Sequence, residues 1–174
     1  RRTAEPSVFA IGDVAGMPML AHKAAHEAHV AADAIAGEAA AFDPRAIPFV
    51  VFSDPEIAAC GLTETEAQER GVEVEKRSFP WAASGRALTL ARPDGLTKML
   101  CDPQSGRILG VGMVGHGAAE LVAEATLAIE MGAVADDVAL TIHTHPTLSE
   151  TLMEAAQAFS GHSTHFRKNN TKGA

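Results

Sequence analysis

The hydrophobic pattern of this chain changes character near residue 48. Before that point one short apolar run, Val8 to Ile11, has the form of a buried strand. Gly12 to Pro18 is rich in turn residues. From Met19 to about Ala36 the chain is Ala-rich and free of Gly and Pro, which predicts a helix, with Gly37 as its stop. Phe42 to Pro48, with Pro44 and Pro48, reads as a connector and a domain boundary.

Beyond the connector, strands alternate with helices. Phe49 to Phe52 is apolar and strand-like. Thr63-Glu64-Thr65-Glu66 has the spacing of a capping box, so a short helix is expected to about Arg70, with a stop at Gly71. Val72 to Phe79 alternates as a half-buried strand does. Leu96 to Leu100 and Ile108 to Val114 flank Asp102 to Gly106, whose composition suits a hairpin turn. Ala118 to Met131 predicts a long helix, Asp136 to Leu140 a helical turn, and Thr147 to Phe159 a third helix. The last residues, with Arg167, Lys168 and Lys172, are polar and expected to fray. The fold class that results is α+β: an antiparallel sheet of about four or five strands with helices on one face.

Length sharpens this. The chain of 174 residues holds one domain of ordinary size plus a remnant, not two full domains. It begins with Arg1, and the expectation is a piece of something longer. Ala supplies roughly a fifth of the residues and aromatics only 5%, so the core is expected to pack small side chains closely. Net charge is −8, from 14 basic and 22 acidic residues, which disfavours a nucleic-acid partner. No apolar stretch approaches the roughly 18 to 20 residues needed to span a bilayer, and Arg1-Arg2 opens no signal peptide. Cys60 and Cys101 are far apart in sequence and read as buried thiols of a reducing, cytoplasmic compartment. No close cysteine pair is present.

Three patterns are candidates for chemistry. Gly110-Val111-Gly112-Met113-Val114-Gly115 matches a dinucleotide fingerprint, but Glu130 lies on the helix that follows rather than at the end of a second strand. The favoured reading is glycines for close strand–helix packing. His22, His26 and His29 share one helical face, and His143 or His145 could join them at a metal; packing or solvated histidines are the favoured reading, and no metal is expected. The most informative stretch is His145-Pro146-Thr147-Leu148-Ser149-Glu150. Pro146 disfavours helix at His145, so Thr147 could cap the next helix, with Glu150 as the reciprocal half of a capping box. Equally, Glu150 could reach back to the His145 imidazole, fix its tautomer and make it a general base near neutral pH.

That stretch resembles the C-terminal catalytic motif of the flavoprotein disulfide reductases, and most of all the branch that oxidises dihydrolipoamide. Val8 to Asp13 with Met19 to Ala24 resembles the family's second flavin-binding motif. Asp54 to Ile57 with Gly61 to Glu64 resembles the opening of its dimerisation domain. Phe79 to Ala87, and Leu127 to Met131 with Ala139 to His143, resemble segments of one bacterial branch. The resemblance covers all but about the last dozen residues.

The resemblance implies three segments: residues 1–45 as the C-terminal remnant of an FAD-binding domain, 46–160 as the dimerisation domain, and 161–174 as a polar tail. It implies that Asp13 bonds the ribityl chain of FAD and that Met19, Leu20, Ala21 and His22 line the flavin. His145 is implied as the base that deprotonates a dihydrolipoamide thiol, oriented by Glu150, with NAD as co-substrate. A homodimer is implied, because the histidine serves the partner's site, and so is a lipoyl group of a 2-oxo acid dehydrogenase complex as partner. The His145–Pro146 bond is expected to be cis. The first flavin motif, the redox cysteine pair and the NAD domain of the family are not in this sequence. The chain is therefore expected to be a C-terminal third, inactive alone. The alternatives are a non-catalytic dimerisation module, or the same region of a glutathione- or mercuric-reductase-like enzyme.

Overall fold

The computed structural model describes residues 1–165. The basic tail residues Arg167, Lys168 and Lys172 lie outside the described residues. The chain divides into two compact units, Arg1–Ile47 and a second from Pro48 onward.

In the first unit a 3-10 turn, Gly12–Ala15, precedes helix α1, Ala21–Ile35. The helix begins two residues later than its composition suggests, because Leu20 is extended and its N–H turns back to the Pro18 carbonyl. Val8 to Ile11 is not a strand. A strand needs a ladder, and the run makes only one isolated bridge, Phe9 to Arg2, closed by the Thr3 N–H on Val8 and the Ala10 N–H on Arg1. Lys23 and Glu27 are one turn apart on α1 and buried. Lys23 Nζ donates to the Gly12 and Gly16 carbonyls at 3.0 and 2.8 Å, and the Gly12 N–H donates to Glu27 at 2.7 Å. The turn is thus tied to the helix by buried charge-assisted bonds.

The second unit is a five-stranded antiparallel sheet in the order β1-β2-β5-β4-β3. Its strands are β1 Phe49–Val51, β2 Glu56–Gly61, β3 Glu75–Pro80, β4 Leu96–Cys101 and β5 Ile108–Gly115. Register places Ala58 and Cys60, Val111 and Met113, Thr97, Met99 and Cys101, and Phe79 on one face, all buried. Helix α4, Ala118–Met131, covers β2 and β5 there, and α6, Glu150–Ser160, covers β3 and β4. Small residues let these helices approach: Ala118 and Ala125 on α4 and Ala155 and Ala156 on α6 are buried. The opposite face leaves Phe49, Val51, Ile57 and Leu96 exposed. The expected architecture holds.

Local signals behave as chemistry requires. The Thr63 hydroxyl accepts the Glu66 N–H, Glu66 answers to the Thr63 N–H at 2.9 Å, and α2 runs Glu64–Arg70 to a left-handed Gly71. Asp102 closes the β4–β5 turn by accepting from the Gln104 and Ser105 N–H groups. Strand β2 escapes the hydrophobic pattern, as its small residues Ala58, Ala59 and Cys60 carry little alternation. Helix α3, Gly85–Thr89, is too short for a periodic signal. Helix α5, Ala135–Leu140, matches the predicted turn with one residue more. Helix α6 begins at Glu150, not Thr147, because the Thr147 hydroxyl donates to Thr144 rather than capping a helix.

Within the described residues, 161–165 of the tail are held to α6. Glu154 on α6 is buried and accepts the Ser163 hydroxyl at 2.6 Å and the Thr164 N–H at 3.0 Å, and it contacts the His165 ring.

Candidate active site

The segment from Thr141 to Ser149, between α5 and α6, contains neither helix nor strand. Its order comes from side chains. The Thr147 hydroxyl donates to the Thr144 carbonyl at 2.7 Å and lies 2.8 Å from the Ser149 hydroxyl. The Thr147 N–H donates to Glu150 Oε2 at 2.8 Å. The His145–Pro146 bond is cis, as expected.

The second oxygen of Glu150 does other work. Oε1 lies 2.9 Å from His145 Nδ1. Glu150 therefore takes the Thr147 N–H on one oxygen and the imidazole on the other, but no capping box forms, because Thr147 caps no helix and Glu150 is the first residue of α6. Glu150 is mostly buried, and burial by itself would raise its carboxyl pKa. The Thr147 N–H and the His145 ring outweigh this, and the carboxyl lies below the usual glutamate range. A carboxylate at Nδ1 assigns the proton to Nδ1, so Nε2 keeps its lone pair. The His145 side chain is 68% exposed, and Nε2 has no partner among the described residues. The arrangement can take a proton from an incoming acid.

Two residues upstream a second pair, which the sequence reading missed, holds the same segment. His143 Nε2 is 2.7 Å from Glu124 Oε1 on α4, and Nδ1 is 2.9 Å from the Thr141 carbonyl. The available signal was the His-Thr-His spacing of 143–145, which equally suits a metal site.

Among the described residues no group of three or more His, Cys, Asp or Glu side chains is placed to hold a metal ion. His22, His26 and His29 are exposed on α1, where His26 packs edge-on to Phe42. The whole G-x-G-x-x-G pattern lies inside β5 rather than at a strand-to-helix turn. A side chain at Gly110 would meet the Leu62 carbonyl, and one at Gly115 the Trp81 ring. These glycines admit close neighbours, though a loop backbone and a strand-flanking indole rather than a helix. Cys60 and Cys101 are buried and free, and burial pushes their thiols up to about 11 and about 12, so neither is a reactive thiolate.

The remaining site candidates lie in the first unit. Asp13 sits in the exposed 3-10 turn, its carbonyl accepting the Gly16 N–H at 3.0 Å. Met19 is exposed, Leu20 is the N-cap residue of α1, and Ala21 and His22 open the helix. No side chain of the N-cap residue Leu20 caps α1. The exposed Asp13 carboxylate suits hydroxyl donors such as those of a ribityl chain.

Comparison with known proteins gives this geometry a family. The family model for the pyridine nucleotide-disulphide oxidoreductase dimerisation domain matches residues 47–156, and the chain belongs to that family. A dihydrolipoyl dehydrogenase of Halobacterium salinarum is 57% identical over 94% of this chain, which covers 35% of that protein. One from Vibrio parahaemolyticus is 51% identical over 92% of this chain and 34% of its own length. LpdA from Mycobacterium tuberculosis superposes with a TM-score of 0.85 at 28% identity, over 91% of this chain and 35% of that one. The HOCl-induced flavoprotein disulfide reductase RclA of Escherichia coli gives a TM-score of 0.82 at 25% identity, over 89% of this chain and 36% of that one. The chain thus spans about a third of the length of the relatives it matches. No helix among the described residues is long and apolar enough to cross a membrane.

Proposed function

We propose that this chain is the C-terminal part of an FAD-dependent dihydrolipoamide dehydrogenase and supplies its acid–base pair. One observation carries the proposal: a solvent-facing imidazole with its Nε2 free and its Nδ1 held by a mostly buried carboxylate. Such a ring is a base poised for an external proton. His145 Nε2 takes the proton of a dihydrolipoamide thiol and leaves a thiolate, the nucleophilic form. Glu150 keeps the ring oriented and stabilises the imidazolium that results. The names of the relatives, dihydrolipoyl dehydrogenase, support this substrate over glutathione disulfide.

FAD, when bound, supplies a two-electron acceptor. Asp13 would hold its ribityl hydroxyls, and Met19, Leu20, Ala21 and His22 would line its ring. The Lys23–Glu27 pair keeps the Asp13 turn against α1. No residue of this chain is assigned to NAD, the electron acceptor of the whole enzyme. We assign the working form as a cytoplasmic homodimer whose dithiol substrate is a lipoyl group of a 2-oxo acid dehydrogenase complex. The exposed apolar side chains Leu127 and Met131 on α4, with Leu140 and Ile142 beside His143, support a covered face there.

The test is steady-state turnover of dihydrolipoamide and NAD by the protein that carries this chain. His145→Gln should reduce it by at least about 100-fold, the scale of losing a general base. Turnover within a few-fold of wild type would remove the role.

A further inference from the structure

Between Leu140 and Pro146, His143 is the one residue that is not exposed. Leu140 and Ile142 are 82% and 97% exposed, whereas the His143 side chain is only 5% exposed. From Ile142 to Pro146 the chain lies in neither ladder nor helix; the Thr147 hydroxyl on the Thr144 carbonyl and the inserted His143 ring hold its path.

Both ring nitrogens of His143 meet oxygen. The Thr141 carbonyl can only accept, so Nδ1 carries a proton. Glu124 Oε1 lies 2.7 Å from Nε2, within hydrogen-bond distance. This contact joins the segment to α4, which packs on β2 and β5. His145 is held differently: its ring is braced by Glu150 from the C-terminal side, and its backbone enters from His143.

We propose that Glu124 and His143 are positioning residues for His145. They pin the irregular segment to α4 so that the His145 ring is presented with Nε2 toward substrate. The inference rests on the reading of His145 as the base of a dihydrolipoamide dehydrogenase. The two carboxylates have separate tasks: Glu150 sets the ring, and Glu124, through His143, sets the backbone that carries the ring. A shift of about 1 Å in a reacting group lowers rates on the order of 100-fold, so the loss of this anchor should be visible in turnover.

The experiment uses the whole enzyme that carries this chain and two assays. One is dihydrolipoamide oxidation with NAD. The other is ferricyanide reduction by NADH, which bypasses the dithiol and needs no thiol base. Glu124→Ala and His143→Ala should lower kcat with dihydrolipoamide by about 10- to 100-fold and leave the ferricyanide rate within about twofold of wild type. Glu124→Gln, whose side-chain oxygen can still accept a hydrogen bond from Nε2, should recover most of the dihydrolipoamide rate. Wild-type dihydrolipoamide rates in both alanine variants would overturn the proposal. So would a parallel fall in both assays, which marks a merely structural role. His145→Gln is run alongside. If that variant keeps its dihydrolipoamide rate, the function reading itself is overturned; if it alone loses the rate, only the positioning role fails.

Discussion

Glu150 divides its two oxygens between His145 Nδ1 at 2.9 Å and the Thr147 N–H at 2.8 Å. One side chain therefore fixes the ring and the backbone entering α6 together. It also stays ionised in the fold below its ordinary range, because these two donors outweigh the cost of its burial.

The sign of the pH effect follows. A carboxyl with a lowered folded pKa contributes stability above its unfolded value, about 4.3, and loses it as pH falls through the folded value. Thermal midpoints of wild type and Glu150→Gln should differ near neutrality and converge in acid below the folded value. A gap that stays constant across the titration would show that the Glu150 charge contributes nothing to the fold.

Trp81, Thr97 and Thr151 form a buried chain of hydrogen bonds. The indole N–H donates to Thr97 at 3.0 Å, and the Thr97 hydroxyl donates to Thr151 at 2.9 Å. Thr97→Val keeps the shape but leaves the indole N–H without its acceptor. Urea unfolding should show a loss of about 1 to 3 kcal/mol. No loss would mean the indole finds another partner.

Ala91 ends α3 with φ 55, the left-handed conformation that L-residues resist. The bend is used: the Arg92 N–H returns to the Ala87 carbonyl at 2.9 Å. Ala91→Gly should relieve the strain, offset in part by the freer unfolded chain, and raise stability by up to about 1 kcal/mol. A lower midpoint would show that Ala91 makes a contact worth more than its strain.

Which of these features could be read from residues alone depends on how local their causes are. The Thr63–Glu66 cap and the Asp102 turn involve neighbours a few positions apart, and both stand as the spacing suggests. The pairing of His145 with Glu150 is local too, though spacing could not separate it from a cap; the carboxylate takes the ring and the Thr147 N–H, while Thr147 itself caps no helix. Strand β2 was hidden because Ala58 and Cys60 are buried by register against β5, which no local pattern encodes. Val8 to Ile11 failed in the opposite sense, with strand composition but almost no ladder to join. Glu124 and His143 are 19 positions apart, and only the fold brings α4 under that segment.

The central claim is that His145 deprotonates the dithiol, and it is tested most directly in the half-reaction where that proton moves. Flavin reduction is followed by stopped-flow absorbance in the enzyme that carries this chain, first with dihydrolipoamide and then with NADH. In His145→Gln the rate with dihydrolipoamide should fall by at least about 100-fold while the rate with NADH is unchanged. Equal rates for wild type and variant with dihydrolipoamide would contradict the role of His145.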